Sequence, residues 1–79
     1  MTRFLITMNM PSRSGGLIHQ VICEHPAKTV KELSDAMDGK DFLTVEEFYR
    51  DTSHGGYFSS GEVALNVMHI GKIKVDKSK

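Results

Sequence analysis

A chain of 79 residues is large enough for one domain, and its composition excludes several classes of protein. Hydrophobic residues make up 39% and charged residues 25% of the sequence, which is typical of a globular chain and argues against disorder. The formal net charge is zero, so overall charge gives no reason to expect a nucleic acid or a membrane surface as partner. The first residues, MTRFLITMNMPS, are too polar for a signal peptide and their apolar run is too short for a membrane span. We therefore expect a cytoplasmic protein without a membrane partner.

Charge is nevertheless distributed unevenly along the chain. Residues 24–62 carry nine carboxylates against four cations, whereas residues 63–79 carry four lysines against one aspartate. Residues 1–23 carry two arginines and no acidic residue. A chain with basic ends and an acidic middle is suited to head-to-tail self-assembly as well as to ligand binding.

Two strands are predicted at the start of the chain. Residues 3–10 alternate with period two and place Phe4, Ile6, Met8 and Met10 on one face. Pro11–Gly16 ends this strand in a polar, glycine-rich loop, and a second strand follows over Leu17–Glu24. The backbone N–H groups of the loop, together with Arg13, could form an anion-binding nest, and a plain hairpin loop is the alternative.

The clearest local signal predicts a helix over Thr29–Asp38. Thr29 and Glu32 have the spacing of a capping box, and Gly39 lies where a helix commonly ends in a left-handed residue. Apolar residues recur at helical spacing on one stripe, namely Val30, Leu33, Ala36 and Met37. Because a helix of this length is marginal in isolation, its stripe must pack on the sheet or cover one end of a barrel.

Three more strands are predicted in the second half of the chain. Phe42–Tyr49 is rich in β-branched and aromatic residues, and Asp51–Ser60 consists of turn-forming residues. The segment Gly61–Val75 then holds an alternating strand with Val63, Leu65 and Val67 on one face. A short corner separates it from a last strand, Ile70–Val75, and residues 76–79 are predicted to form a flexible tail.

These elements predict an α+β chain that is mainly β: one domain over residues 1–79, built as a small bent five-stranded antiparallel barrel with one short helix after the second strand. Five short strands are few for a closed barrel, so we expect an open edge at Ile70–Val75. Lys72 and Lys74 would protect this edge from indiscriminate pairing. Ile70, Ile73 and Val75 would form the edge that pairs with one specific strand of another subunit.

Two resemblances point to a family. The strand ending in Leu65-Asn66, the short turn and the strand beginning Ile70-Gly71 resemble the closing strand pair of Sm-like proteins, which have SH3-like barrels. The chain also resembles small proteins of bacteriophage and marine-metagenome origin that share the pattern MNMPSRSG…HQ…IGKI, here Met8–Gly15, His19-Gln20 and Ile70–Ile73. The resemblance implies a bent five-stranded barrel that assembles edge to edge into a ring of about five to seven subunits and binds single-stranded RNA.

The chain departs from the Sm-like pattern in three ways. The family's helix precedes the strands, whereas the helix predicted here follows the second strand. The family's first motif, an aspartate and an asparagine in a loop, has no match in this sequence. Ile70, rather than a basic residue, precedes Gly71.

Four residues around the predicted corner between the last two strands are candidates for a nucleic-acid site: Asn66, His69, Lys72 and Lys74. Asparagine offers a donor and an acceptor to a base edge, histidine can stack on a base, and lysine contacts phosphate. Arg13 in the first loop is a fifth candidate. The alternative is that the lysines only protect the edge and that Asn66 closes a turn.

No catalytic residue, metal site or cofactor is predicted. Cys23 is the single cysteine, so an intramolecular disulfide is excluded, and a buried thiol in a reducing compartment is expected. A Cys23–His nucleophilic pair is conceivable but has no local signature. Glu46 and Glu47 are adjacent on a strand and therefore point to opposite faces, which disfavours paired acid–base catalysis. None of the four histidines lies at helical metal-ligand spacing from another: His19, His25, His54 and His69.

The sequence therefore favours a non-enzymatic, ring-forming, Sm-like protein that binds single-stranded RNA or DNA and serves nucleic-acid processing. The alternative is a structural or protein-interaction module that pairs through its exposed sheet edge.

Overall fold

The computed structural model describes residues 1–9, 19–51, 53 and 55–77 as one antiparallel sheet with one α-helix. In chain order the elements are β1 (Thr2–Met8), β2 (His19–His25), α1 (Val30–Met37), β3 (Phe42–Arg50), β4 (Tyr57–Asn66), a 3-10 turn (Val67–His69) and β5 (Ile70–Val75). This is the predicted order of elements, and it confirms a mainly β, α+β chain with the helix after the second strand.

The strands are arranged across the sheet in the order β4-β3-β2-β1-β5, and every neighbouring pair is antiparallel. β5 pairs with β1 alone, so it lies at an edge as the sequence predicts. The other edge is β4, which pairs with β3 alone. Although only the 3-10 turn separates β4 from β5, these two strands do not pair with each other, and the described sheet is not closed into a barrel.

One face of the sheet and the helix enclose the core. On β1 the buried residues are Phe4, Ile6 and Met8, which alternate with partly exposed residues as predicted. The helix contributes Leu33, which is completely buried, and it contacts β3 and β5. The remaining buried hydrophobic residues are Val21, Cys23, Ala27, Leu43, Val45 and Leu65. We call this side of the sheet the core face and the opposite side the outer face.

The helix ends are formed as the sequence predicts. The side-chain oxygen of Thr29 accepts a hydrogen bond from the backbone N–H of Glu32 at 3.1 Å. The Glu32 carboxylate in turn accepts from the backbone N–H of Lys28 at 3.2 Å. Gly39 has φ +72°, a left-handed conformation that glycine adopts without strain.

The structure corrects the sequence prediction at both ends of β4. The turn predicted over Asp51–Ser60 is shorter than expected, because β4 already begins at Tyr57 and pairs there with the end of β3. A bulge follows, in which Glu47 pairs with Gly61 and Phe48 pairs with Ser59. The strand then ends at Asn66, so Val67 starts the 3-10 turn instead of extending the alternation.

Several predicted features lie outside the described residues. They are Met10, the Pro11–Gly16 loop with Arg13, and the last two residues of the predicted tail. At the start of that tail, the backbone N–H of Asp76 donates to the Arg3 carbonyl at 2.9 Å, so pairing with β1 extends one residue beyond β5.

Candidate functional site

A groove of about 490 Å³ lies along the open edge of β4. Four consecutive β4 residues line it, Val63–Asn66. Because neighbouring residues of a strand point to opposite faces, a cavity lined by four in a row follows the edge of the strand, and the buried Met8 and Val21 show that it also reaches the core face of the sheet. Its other lining residues are Met8, Val21, Phe42, Glu47 and His69. We call this cavity the β4-edge groove.

The structure brings two of the predicted site residues, Asn66 and His69, to the β4-edge groove. The Asn66 side-chain oxygen accepts a hydrogen bond from the backbone N–H of Met68 at 3.0 Å and so begins the 3-10 turn. Asn66 therefore closes a turn, as the alternative interpretation held, and its amide NH2 group is the part that it can offer to a ligand. The backbone carbonyl of His69 accepts from the N–H of Asn9, which fixes the end of the turn against β1.

The two predicted lysines lie elsewhere, on the outer face of β5. Lys72 is opposite Thr7 and Lys74 is opposite Leu5, and both lysines are exposed. Their neighbours Ile70, Ile73 and Val75 point the other way and pack against the core. Neither lysine lines the β4-edge groove. The structure thus divides the predicted nucleic-acid residues between a groove at one edge and a basic pair at the other.

Three glutamates form a row across the outer face. Glu24 on β2, Glu46 on β3 and Glu62 on β4 lie directly opposite one another in the register. Arg3 pairs with Glu24 at 3.1 Å, and the Ser59 hydroxyl donates to Glu46 at 2.6 Å. Like charges placed directly opposite each other destabilise a sheet. The row of glutamates therefore lowers the stability of the sheet, and the contacts with Arg3 and Ser59 reduce this loss. It ends at Glu62, which makes the outer face of the β4 edge acidic while that of the β5 edge is basic.

Sequence reasoning missed two aromatic clusters near the turn between β3 and β4. The guanidinium of Arg3 lies 4.1 Å from the ring centroid of Tyr57 and 5.5 Å from that of Phe48. Tyr49 and Phe58 form a tilted ring pair with centroids 5.9 Å apart, and about half of each side chain is exposed. Spacing along the chain carries no signal for the Arg3 cluster, because it joins β1 to β4 across the sheet.

The thiol of Cys23 is unsuited to nucleophilic chemistry. Cys23 is completely inaccessible to solvent. Burial raises the pKa of its thiol from 9.0 to about 12, with smaller contributions from the carboxylates of Glu47 and Glu24. Because the thiolate is the reactive form, this thiol is inert at neutral pH.

The other polar candidates have local structural partners. As the strand period predicts, Glu46 lies on the outer face, whereas Glu47 is opposite Cys23 and lines the groove. The side chain of Glu47 accepts from the Ser60 hydroxyl at 3.1 Å. His25 accepts from the backbone N–H of Ala27 at 3.0 Å, which organises the turn before the helix. Within the described ranges, no three His, Cys, Asp or Glu side chains are grouped so that they could hold a metal ion.

Comparison with known proteins yields no family model, no curated protein and no solved structure that matches the chain. In the described part of the chain, no helix has the length and apolar character that crossing a membrane requires.

Proposed function

We propose that this chain is a non-enzymatic, Sm-like module whose subunits join edge to edge into a ring, and that the ring binds single-stranded RNA or DNA. The observation that carries the proposal is the pair of open edges, β4 and β5, at opposite sides of one sheet. Each edge has backbone groups that β3 or β1 does not satisfy, and a strand of another subunit can satisfy them. When one edge of a subunit joins the other edge of the next subunit, the same contact can repeat from subunit to subunit. The assembly is a ring if the rotations between neighbouring subunits add up to a full turn.

The two edges are chemically different, which supports head-to-tail joining. β4 presents Glu62 on the outer face and an apolar groove beside it. β5 presents Lys72 and Lys74 on its outer face. Contact between unlike edges brings opposite charges together, whereas contact between two β5 edges would bring lysines together. The resemblance to Sm-like proteins implies about five to seven subunits, and a closed assembly of this kind is consistent with such unlike edges.

The nucleic-acid part of the proposal is supported by residues at the corner where β4 ends and the 3-10 turn begins, and by the lysines. Phe42 at the groove is 58% exposed, so its ring can stack on a base. Asn66 offers its amide to a base edge, and His69 lies at the same groove. Exposed lysines on β5 would be repeated around the ring and would contact phosphates.

Binding to single strands tests the proposed function. The probes are a fluorescent single-stranded RNA and a single-stranded DNA of mixed sequence, titrated by anisotropy at low and at physiological salt. We expect binding to both probes that weakens as salt is raised, because each phosphate contact releases a counterion. If the chain binds neither probe at low salt, the nucleic-acid proposal is wrong.

A second candidate function is a structural or interaction module that receives a strand of a different protein. The β4-edge groove favours it, because an added strand would place alternate apolar side chains beside Val63 and Leu65. A chain that stays monomeric and binds neither nucleic-acid probe would favour this candidate over the ring.

A further inference from the structure

We propose that Tyr49 and Phe58, at the end of the β3–β4 hairpin, stack two successive unpaired bases of a single-stranded nucleic acid. We call these two residues the ring pair. This inference rests on the proposed nucleic-acid binding and adds to it a site for bases, separate from the corner that follows β4. One subunit builds this site by itself.

The ring pair lies on a part of the hairpin that extends beyond the neighbouring strand. The pairing of β2 with β3 ends at Ile22 and Phe48, and the last two residues of β3 pair with β4 alone. Tyr49 is directly opposite Phe58 in that two-stranded part. Neither ring belongs to the core or to the partly buried residues packed against it. The core therefore does not account for these two aromatic side chains.

The two faces of the hairpin end have different surroundings. Phe48 and Tyr57 point to the outer face, where the Arg3 guanidinium lies 5.5 Å from the first ring centroid and 4.1 Å from the second. Neighbouring residues of a strand point to opposite faces, so Tyr49 and Phe58 point away from Arg3. One face of the hairpin end is thus held against β1, and the other presents the ring pair to solvent.

The exposure of the ring pair goes beyond what its own contact explains. The rings are tilted by 38° with centroids 5.9 Å apart. Tyr49 is nevertheless 50% exposed and Phe58 52% exposed. A cross-strand aromatic pair stabilises a hairpin, which accounts for the contact between the rings. It does not account for the half of each side chain that remains open to a ligand.

Aromatic rings on adjacent strands are suited to successive bases. Sheet modules that bind single-stranded RNA present such rings on neighbouring strands and stack two or three bases on them. Every base has a π-face, so stacking of this kind tolerates different sequences. With one base on each ring, two successive nucleotides cover the ring pair.

The surroundings of the ring pair favour a base over a protein surface. The other described residues that connect the two strands or follow Phe58 are small, polar and exposed, namely Ser53, Gly55, Gly56, Ser59 and Ser60. A stable protein interface buries roughly 1,000 Å² or more around an apolar centre. Two half-exposed rings among serines and glycines do not provide such a centre, whereas a base needs only the face of one ring.

Arg50 supplies a cation at the same end of the hairpin. Its side chain is exposed and donates to the Tyr57 hydroxyl at 3.5 Å, and it forms no ion pair with any carboxylate of the described residues. The side chain of the following residue, Asp51, accepts from the backbone N–H of Ser53 at 2.9 Å. Arg50 lies on the opposite face from the ring pair. A strand that crosses the hairpin end therefore places its bases on the rings and its phosphates toward Arg50.

Backbone hydrogen bonds hold the end of the hairpin in shape. The N–H of Asp51 donates to the Gly56 carbonyl at 2.7 Å, and the N–H of Gly55 donates to the Asp51 carbonyl at 2.8 Å. Since the ring pair lies directly before this turn, its two rings are positioned before a ligand arrives. A site that is ordered in advance loses less conformational entropy on binding.

Two strands that differ only in their bases test this site. One is a short, fluorescently labelled single-stranded DNA of mixed sequence, and the other is an abasic strand of the same length and charge. Both are titrated by anisotropy at low salt. Tyr49→Leu with Phe58→Leu removes both rings and keeps apolar side chains. Tyr49→Phe with Phe58→Tyr is the matched control, because it changes the same positions and keeps both rings.

We expect the wild type and the matched control to bind the base-containing strand more tightly than the abasic strand. Each stacked base strengthens binding by roughly 5- to 150-fold. The leucine variant should therefore lose at least about fivefold in affinity for the base-containing strand, while its affinity for the abasic strand stays unchanged. Circular dichroism checks that the variant is folded, and Phe58→Leu alone gives the same comparison if the double variant is not.

Three results would overturn the inference. Equal affinity of the wild type for both strands, or an equal loss of both in the leucine variant, would contradict the ring pair but not the binding of phosphates. Phe42→Leu should remove only part of the preference for bases. If it alone removes all of this preference, the bases are bound at the corner and not at the ring pair. A wild type that binds neither strand would contradict the proposed function as well.

Discussion

The guanidinium of Arg3 lies 4.1 Å from the ring centroid of Tyr57, although β1 and β4 are three strand positions apart in the sheet. Flat strands three positions apart would be separated by roughly 14 Å. The contact therefore requires the far half of the β3–β4 hairpin to twist toward β1 across the outer face. Arg3 also pairs with Glu24 at 3.1 Å and lies 5.5 Å from the ring centroid of Phe48, so one side chain connects four strands.

Replacing Arg3 should destabilise the fold. Arg3→Ala removes a cation–π contact and a half-buried ion pair, and we expect the free energy of unfolding to fall by about 1–2 kcal/mol. Arg3→Lys should recover only part of this stability, because an ammonium lacks the planar guanidinium that stacks on the ring. Urea denaturation measures the free energy of unfolding of both variants. Lys40→Ala is the control, since Lys40 is exposed and lies away from the Arg3 cluster; an equal destabilisation there would show that the Arg3 contacts contribute nothing specific.

Gly61 should be sensitive to substitution because of its backbone. It follows the bulge in β4 and has φ +104°, a conformation that residues with a Cβ rarely adopt. No atom lies within 4 Å of a Cβ added there, so any cost comes from the backbone alone. We expect Gly61→Ala to reduce the free energy of unfolding by about 1–3 kcal/mol.

Gly56→Ala is the matched control for Gly61→Ala. Gly56 also has open space around an added Cβ, but it has no positive φ. Gly56→Ala should therefore change the free energy of unfolding little. Equal destabilisation of the two variants, measured by urea denaturation, would contradict the account of the bulge.

Much of the fold could be predicted because its signals are local. The capping residues Thr29 and Glu32 and the period-two pattern of β1 depend on neighbours in the chain. The start of β4 was missed because Tyr57 and Phe58 follow turn-forming residues, and only their pairing with β3 makes them strand. The open edge at β5 was predicted from the small number of strands, whereas the position of β4 as the second edge depends on long-range pairing and could not be deduced from spacing.

The candidate site was predicted in part for the same reason. Asn66 and His69 are close in sequence and flank one turn, and the structure brings both to the groove. Phe42 was not recognised as a groove residue, because it reaches that place through its pairing opposite Asn66. The contrast between an acidic and a basic edge could be recognised only from the strand register, since nothing in the sequence indicates that Glu62 and Lys72, ten residues apart, lie at opposite edges of the sheet.

The buried thiol should make stability depend on pH in the alkaline range. The Cys23 thiol has a pKa of about 12 in the folded chain against an ordinary value of 9.0. Between these values the unfolded chain releases this proton and the folded chain keeps it, so the free energy of unfolding falls as pH rises. The stability that the buried thiol contributes is fully present below pH 9, and about 1.4 kcal/mol of it is lost for each pH unit above that value.

Cys23→Ala isolates this effect, because tyrosines and lysines titrate equally in both proteins. Denaturation of wild type and variant at pH 8 to 11 should show a steeper decline in the wild type. Parallel curves would contradict the burial of the thiol. A thiol reagent at pH 8 should likewise react with Cys23 only when the chain unfolds.

The lysines of β5 should govern the salt dependence of nucleic-acid binding. Lys72→Ala with Lys74→Ala should weaken binding similarly for RNA and DNA of different sequence. The slope of log K against log salt should also become shallower, by about 0.7 for each single-strand phosphate that the variant no longer neutralises. Lys28→Ala with Lys40→Ala removes the same charge from exposed positions around the helix and should leave the slope unchanged. Equal effects of the two double variants would indicate a general effect of charge rather than a β5 site.

The mass of the chain in solution tests the central claim most directly. Light scattering during size-exclusion chromatography should give about five to seven times the 8.8 kDa of one chain. Ile73→Pro should abolish the assembly while the sheet stays folded, because the N–H of Ile73 faces the open edge and not β1. Ile73→Ala removes a comparable part of the side chain but keeps the N–H, and it should still assemble. A mass of one or two chains for the wild type, or an unchanged mass for Ile73→Pro, would contradict edge-to-edge assembly.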